Sequence, residues 1–141
     1  SQRKKHMKKT LLASLLFLAS AIPAAAAVRD FGAFTADVPD GWNTASQGGV
    51  VVLTNGDGKA GLSVLVRNAQ GRNAQEVAQA ASMRNSGTPP IPEAGGYSFT
   101  VQRDGDLAKV YVSVSGTDAM LITVYGENTQ TQGILHSIRK K

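Results

Sequence analysis

Few residues in this chain are equipped for chemistry. Asn55-Gly56-Asp57-Gly58-Lys59 contains part of a calcium-loop pattern. Such a loop also needs an acid two residues before the asparagine and a glutamate at its twelfth position. Those positions hold Leu53 and Val64, so the segment reads instead as a hairpin turn, where Asn, Asp and Gly tolerate positive φ. Asp104 and Asp106 flank Gly105 and present two carboxylates on a second turn. Two acids fall short of the six to eight oxygens that calcium takes.

His136 is the sole histidine after Met7, and the chain has no cysteine. A zinc site therefore lacks ligands, and thiol catalysis, thiolate metal sites and disulfides are excluded. Ser137 adjoins His136, but neighbours on a helix point apart and do not form a nucleophile–base pair. Gly48-Gly49 and Gly56-x-Gly58 precede strand-like runs, whereas a phosphate loop opens a helix. The residues name no catalytic set, and a non-enzyme without a cofactor or metal is expected. Trp42 follows Pro39-Asp40-Gly41 and reads as a packing residue behind that turn rather than an aromatic platform.

The elements that must hold these residues follow from periodicity. Phe34, Ala36 and Val38 alternate with Thr35 and Asp37 as a strand. Val50–Thr54 is a short β-branched run, and Leu62, Val64 and Val66 alternate beyond the Asn55–Lys59 turn. Asn73 and Glu76 have the spacing of a capping box. Ala74, Val77, Ala78 and Ala81 then recur at helical spacing, which predicts a helix ending near Asn85. Ser86–Gly96, with three prolines and three glycines, reads as a loop able to carry recognition. Strands are predicted at Tyr97–Arg103, Leu107–Ser115 and Ala119–Tyr125, with turns at Asp104-Gly105-Asp106 and Gly116-Thr117-Asp118. A last helix places Thr131, Ile134, Leu135 and Ile138 on one face. Strands, helix, strands, helix with tight turns predict an α+β fold, an antiparallel sheet with helices packed on it.

The first residues read differently. Lys8 and Lys9 precede an uncharged run from Leu11 to Ile22, then Pro23 and four alanines. That order is expected of a secretory signal peptide over residues 7–27, with residues 1–6 a scar or an upstream start. The apolar run is shorter than the roughly 20 residues of a membrane span. No cysteine follows it to take a lipid, so no stable membrane anchor is expected after cleavage. The chain's formal charge is +5, and all of it lies in this leader. From Val28 onward ten cations meet ten anions, which argues against nucleic acid as a partner. One globular domain is expected over residues 28–141, long enough to bury a core without disulfides.

Phe34-Thr35-Ala36-Asp37-Val38-Pro39-Asp40-Gly41-Trp42 resembles the opening strand and turn of the PsbP-like superfamily. Gly133-Ile134-Leu135-His136-Ser137-Ile138-Arg139 resembles the helix on which its members close, and the elements between follow the superfamily's order. The resemblance implies an α/β sandwich. It also implies binding to another macromolecule rather than turnover: the superfamily includes photosystem II extrinsic subunits, a Ran-binding eukaryotic relative, DcrB-like envelope proteins and effector chaperones. No functional residue carries over, because the matched residues are turn and packing residues.

Alternation then divides the sheet. Leu62, Val64, Val66, Val110, Val112, Val114, Met120, Ile122 and Val124 are expected to form the main core, under Ala78 and Ala81 or Ile134 and Ile138. Leu65, Lys109, Tyr111, Ser113, Leu121, Thr123 and Tyr125 fall on the opposite faces. Leu65, Tyr111, Ser113, Leu121, Thr123 and Tyr125 mix apolar bodies with hydroxyls, the composition of a partner-binding face. The alternative is that a helix or the Ser86–Gly96 loop covers them. The expected protein is a periplasmic or secreted accessory protein that docks on a protein partner. A small-ligand or ion-binding module, or an inhibitor or immunity-type protein acting on a secreted enzyme, are the alternatives.

Overall fold

The computed structural model describes residues 26–141. All but the last two residues of the leader read over residues 7–27 lie outside the described residues.

Asparagine caps fix where both helices begin. The Glu76 amide donates to Asn73 Oδ1 at 2.8 Å, and the Asn73 amide donates to Glu76 Oε1 at 3.0 Å. The capping box read from the sequence is therefore present, and α1 runs Ala74–Arg84 to a C-cap at Asn85. Asn128 and Thr131 exchange the same pair of bonds at the start of α2, Thr129–Ser137. Each box satisfies amides that a first helical turn leaves without partners.

The strands are β1 (Ala27–Asp30), β2 (Phe34–Val38), β3 (Asn43–Gln47), β4 (Val50–Thr54) and β5 (Gly61–Asn68), then, after α1, β6 (Ile91–Glu93), β7 (Gly96–Arg103), β8 (Asp106–Ser115) and β9 (Asp118–Tyr125), and after α2, β10 (Arg139–Lys140). Seven of them form one sheet in the order β3-β4-β5-β9-β8-β7-β6, and β1-β2-β10 form a second. All pairings are antiparallel, as the tight turns require.

The large sheet is buried against something on both faces. Its inner face meets the small sheet and α2: Leu53, Leu62, Val64, Ile122 and Val124 pack with Phe34, Ala36, Trp42 and Ile134. Its other face, the helix face, meets α1: Val77, Ala78 and Ala81 pack on Phe99, Val101, Ala108, Val110 and Val112. Trp42 is a core residue, as its place behind the turn suggested, and its Nε1 donates to Gln130 Oε1 at 3.2 Å.

Two expectations are corrected. Val110, Val112 and Val114 do not join Leu62 and Ile122 in one core. The β8–β9 turn pairs Val112 with Leu121 and Tyr111 with Ile122, so the valines of β8 face α1. The Ser86–Gly96 segment is not wholly a loop. Its Ile91–Glu93 part is β6, paired to β7, and Thr88 exchanges backbone and hydroxyl bonds with Thr100 further along the same edge.

Candidate binding surface

Because α1 lies over β7 and β8, the helix face is only half covered. Beyond the helix, Val50 and Val52 of β4, Ser63 and Leu65 of β5, and Leu121, Thr123 and Tyr125 of β9 stand half-buried on one side of the sheet. The register puts them there: Val50 pairs with Leu65, Leu65 with Leu121, and Val52 with Ser63, which in turn pairs with Thr123. Four of the six residues expected on the partner face, Leu65, Leu121, Thr123 and Tyr125, are thus together.

Tyr111 and Ser113 are not with them. They lie on the inner face, since Tyr111 pairs with Ile122 and Ser113 with Met120. The Lys109 ammonium sits 5.0 Å from the Tyr111 ring centroid and 2.9 Å from Glu93 Oε1. The buried Ser98 hydroxyl donates to the same carboxylate oxygen at 2.9 Å. The hydrogen bonds from Lys109 and Ser98 hold the Glu93 carboxyl below its ordinary range. This cluster pins β6 to the sheet. A separate hollow of about 260 Å³ beside α2 is lined by Tyr111, Ser113, Leu135 and His136.

On the helix face the open strip forms a trough. Next to α1 it is a hollow of about 270 Å³ walled by Ala81, Asn85, Leu65 and Leu121. It widens to about 990 Å³ toward Lys59, Asp106, Leu107 and Tyr125. Ser63, Arg103 and Thr123 line both parts. Arg103 is held at the end of the helix, where its Nη2 donates to Asn85 Oδ1 at 3.3 Å while Asn85 Nδ2 donates to the Ala81 carbonyl. Burial pushes the Tyr125 hydroxyl up, so it stays protonated and able to donate. The trough presents aliphatic bodies and three hydroxyls, with the charges of Arg103, Lys59, Asp106 and Glu127 toward its wide end, a surface suited to holding a partner.

Val50, Val52, Ser63 and Arg103 are missing from the sequence-based face. The uninterrupted Val50–Leu53 run concealed which valines point outward, and Arg103 read only as the end of a strand.

The other candidate chemistries resolve into structure. Asp57 Oδ1 accepts from the Lys59 amide and Asn55 Oδ1 from the Ala60 amide, so both side chains close the hairpin turn. Asp104 and Gly105 take φ of +52° and +84° in the β7–β8 turn. The Ser137 hydroxyl accepts from the Asp37 amide and donates to the Ile134 carbonyl, tying α2 to β2. Among the described residues no three His, Asp or Glu side chains gather closely enough to hold a metal ion.

No family model matches the chain, and no curated protein matches it by sequence. Solved structures do share its architecture, and they define it as an α+β protein with a PsbP-like fold. One is the solution structure of cyanobacterial PsbP (CyanoP) from Synechocystis sp. PCC 6803, 11% identical with a TM-score of 0.52, over 84% of this chain and 94% of that one. Another is a crystal structure from Bacteroides thetaiotaomicron VPI-5482, 12% identical with a TM-score of 0.54, over 85% of this chain. The match takes in 49% of that second chain, so this one spans about half its length. At such identities the likeness is one of fold.

Proposed function

We propose that this chain is an exported, non-enzymatic accessory protein of the cell envelope, periplasmic or secreted, that docks a protein partner in the trough beside α1. The observation that carries the reading is the unequal cover of the large sheet. Across β4, β5 and β9 the inner face is covered by a second sheet and α2, whereas the helix face of the same strands leaves Val50, Val52, Leu65, Leu121, Thr123 and Tyr125 beside an open concavity. Aliphatic and aromatic bodies at the centre, with hydroxyls and charges of both signs at the rim, match the anatomy of a protein interface. The neutral domain supports a protein partner over nucleic acid.

Site-specific photocrosslinking in the envelope tests it. A crosslinker at Thr123 should capture one discrete partner, and one at Gln79, on the exposed side of α1, should not. Equal labelling from both positions overturns the reading. The widest part of the trough, about 990 Å³ and bordered by Lys59, Arg103, Asp106, Glu127 and Tyr125, favours a small polar ligand as the second reading. Native mass spectrometry of protein taken from the envelope separates the two, since a bound small molecule adds a fixed mass without a crosslinked partner.

A further inference from the structure

Of the four sheet edges among the described residues, three are blunted against pairing. β6 has three residues, one of them Pro92, and its Glu93 is folded onto Lys109 and Ser98. β1 carries Arg29 and Asp30, and β10 is only Arg139–Lys140. Short strands, proline and charge are the usual means of keeping an edge from pairing with another chain. β3 has none of them. Asn43-Thr44-Ala45-Ser46-Gln47 is five residues long, uncharged, proline-free and exposed along its whole length.

The direction of its free groups follows from the turn. Gly48 and Gly49, at φ of +61° and +83°, join β3 to β4 in a two-residue hairpin, with Gln47 paired to Val50. Residues flanking such a turn form a hydrogen-bonded pair, and the pattern then alternates. Gln47, Ala45 and Asn43 therefore spend their backbone groups on β4, and Thr44 and Ser46 aim theirs outward.

We propose that β3 is a self-association edge, on which two copies of this chain pair antiparallel about a two-fold axis at Ala45. In that register Thr44 of each copy meets Ser46 of the other, and the outward groups of both make four backbone hydrogen bonds. Ala45 meets Ala45 at the closest separation an antiparallel pair offers, where the smallest side chain fits. The hydroxyls of Thr44 and Ser46 come side by side, a favourable cross-strand pair. No charge on the edge opposes its own copy. Ala45 shares the helix face with Val52, so the open strips of the two copies become one continuous surface across the axis. The self-association does not depend on what occupies the trough. A five-residue strand addition buries less than the roughly 1,200 Å² of a stable complex, so the dimer is reversible and concentration-dependent.

Sedimentation equilibrium from about 10 µM to about 1 mM, where contacts this small form and dissociate, should show the mass rising from monomer toward dimer. Ser46→Pro should abolish the rise without lowering the melting temperature, because the Ser46 amide is not used by β4. Ala45→Lys and Ala45→Asp should each be monomeric alone and should dimerise when mixed, since unlike charges then face each other across the axis. A wild-type protein that stays monomeric over the whole range overturns the proposal, including when it binds an extended peptide of another protein on β3. So does a mixture of the two Ala45 variants that fails to associate, or an Ser46→Pro protein that dimerises like wild type. If Ser46→Pro proves unstable, the Ala45 mixing experiment decides alone.

Discussion

Tyr125 stands directly across from Gly61 in the β5–β9 ladder, and its ring covers the backbone that the glycine leaves bare. A Cβ placed on Gly61 would lie 2.5 Å from the Tyr125 hydroxyl oxygen, 2.7 Å from Cζ and 2.5 Å from the Leu53 carbonyl. The glycine is needed for close approach, not for turning, and the tyrosine supplies the cross-strand packing that a glycine cannot.

That pairing predicts an ordered series in denaturant unfolding. Tyr125→Phe should change stability by less than about 0.5 kcal/mol, because the ring remains. Tyr125→Ala should cost about 2 kcal/mol, less than a fully buried aromatic since the side chain is half-exposed. Gly61→Ala should cost at least as much, because backbone on the neighbouring strand must give way. A neutral Gly61→Ala would show that the ladder relaxes there freely.

Tyr111 belongs to the other core and should behave differently in binding. Tyr111→Ala is expected to lose about 2 kcal/mol of stability and to loosen the Lys109–Glu93 cluster. Crosslinking from Thr123 should be unaffected while the protein remains folded. A loss of crosslinking from the folded Tyr111 variant would place the partner on the inner face instead.

The Glu93 cluster predicts an acid-sensitive edge. Its carboxyl is held below the ordinary range by hydrogen bonds from Lys109 and Ser98. The contribution is therefore present above the unfolded-chain value and fades as pH falls through the lower folded one. Lys109 is raised by its bond to Glu93, so its share is complete at neutral pH and fades only as pH rises through its raised value. Hydrogen exchange should show β6 losing protection in acid before β8 does. Glu93→Gln should lose that protection already at neutral pH.

The proposed export of the chain makes a prediction of its own. Mass spectrometry of the exported protein should give a chain beginning near Val28. Cleavage there leaves most of β1 in place and removes only the pairing of Ala27 with Val38. An exported species that still contains Leu11–Ile22 would refute the signal reading.

The parts of the fold legible in the sequence are those where a local rule has one outcome. Asn73 and Glu76 announced a capping box, and the Asn55–Gly58 turn announced a hairpin. β3 left no trace because none of its side chains is buried, so burial imposed no alternation on it. β6 is three residues around a proline, and it is a strand because β7 offers it an edge. The error at β8 is more instructive. Hydrophobicity alone grouped Val110 and Val112 with Met120 and Ile122. The two-residue turn at Gly116-Thr117 instead pairs Ser115 with Asp118, and that shifts every valine of β8 to the other face. The same shift carried Tyr111 and Ser113 away from Leu121 and Thr123. Arg103 entered the site through the end of α1, a meeting of segments that no local pattern encodes.

The small sheet also sets how the protein would respond to traction. β1 and β10 lie on opposite sides of β2, both antiparallel to it, and therefore run in the same direction. Tension applied through Ala27 and through Lys141 would draw these strands in opposite senses along β2. The ladder is then loaded in shear, with its hydrogen bonds sharing the force, rather than unzipped one bond at a time. The ion pair between Lys141 and Asp30 joins the two loaded strands, and the one between Lys140 and Asp118 ties β10 to β9 of the large sheet. The small sheet thus meets traction on its outer strands in shear, and the trough lies on the opposite face of the large sheet from it.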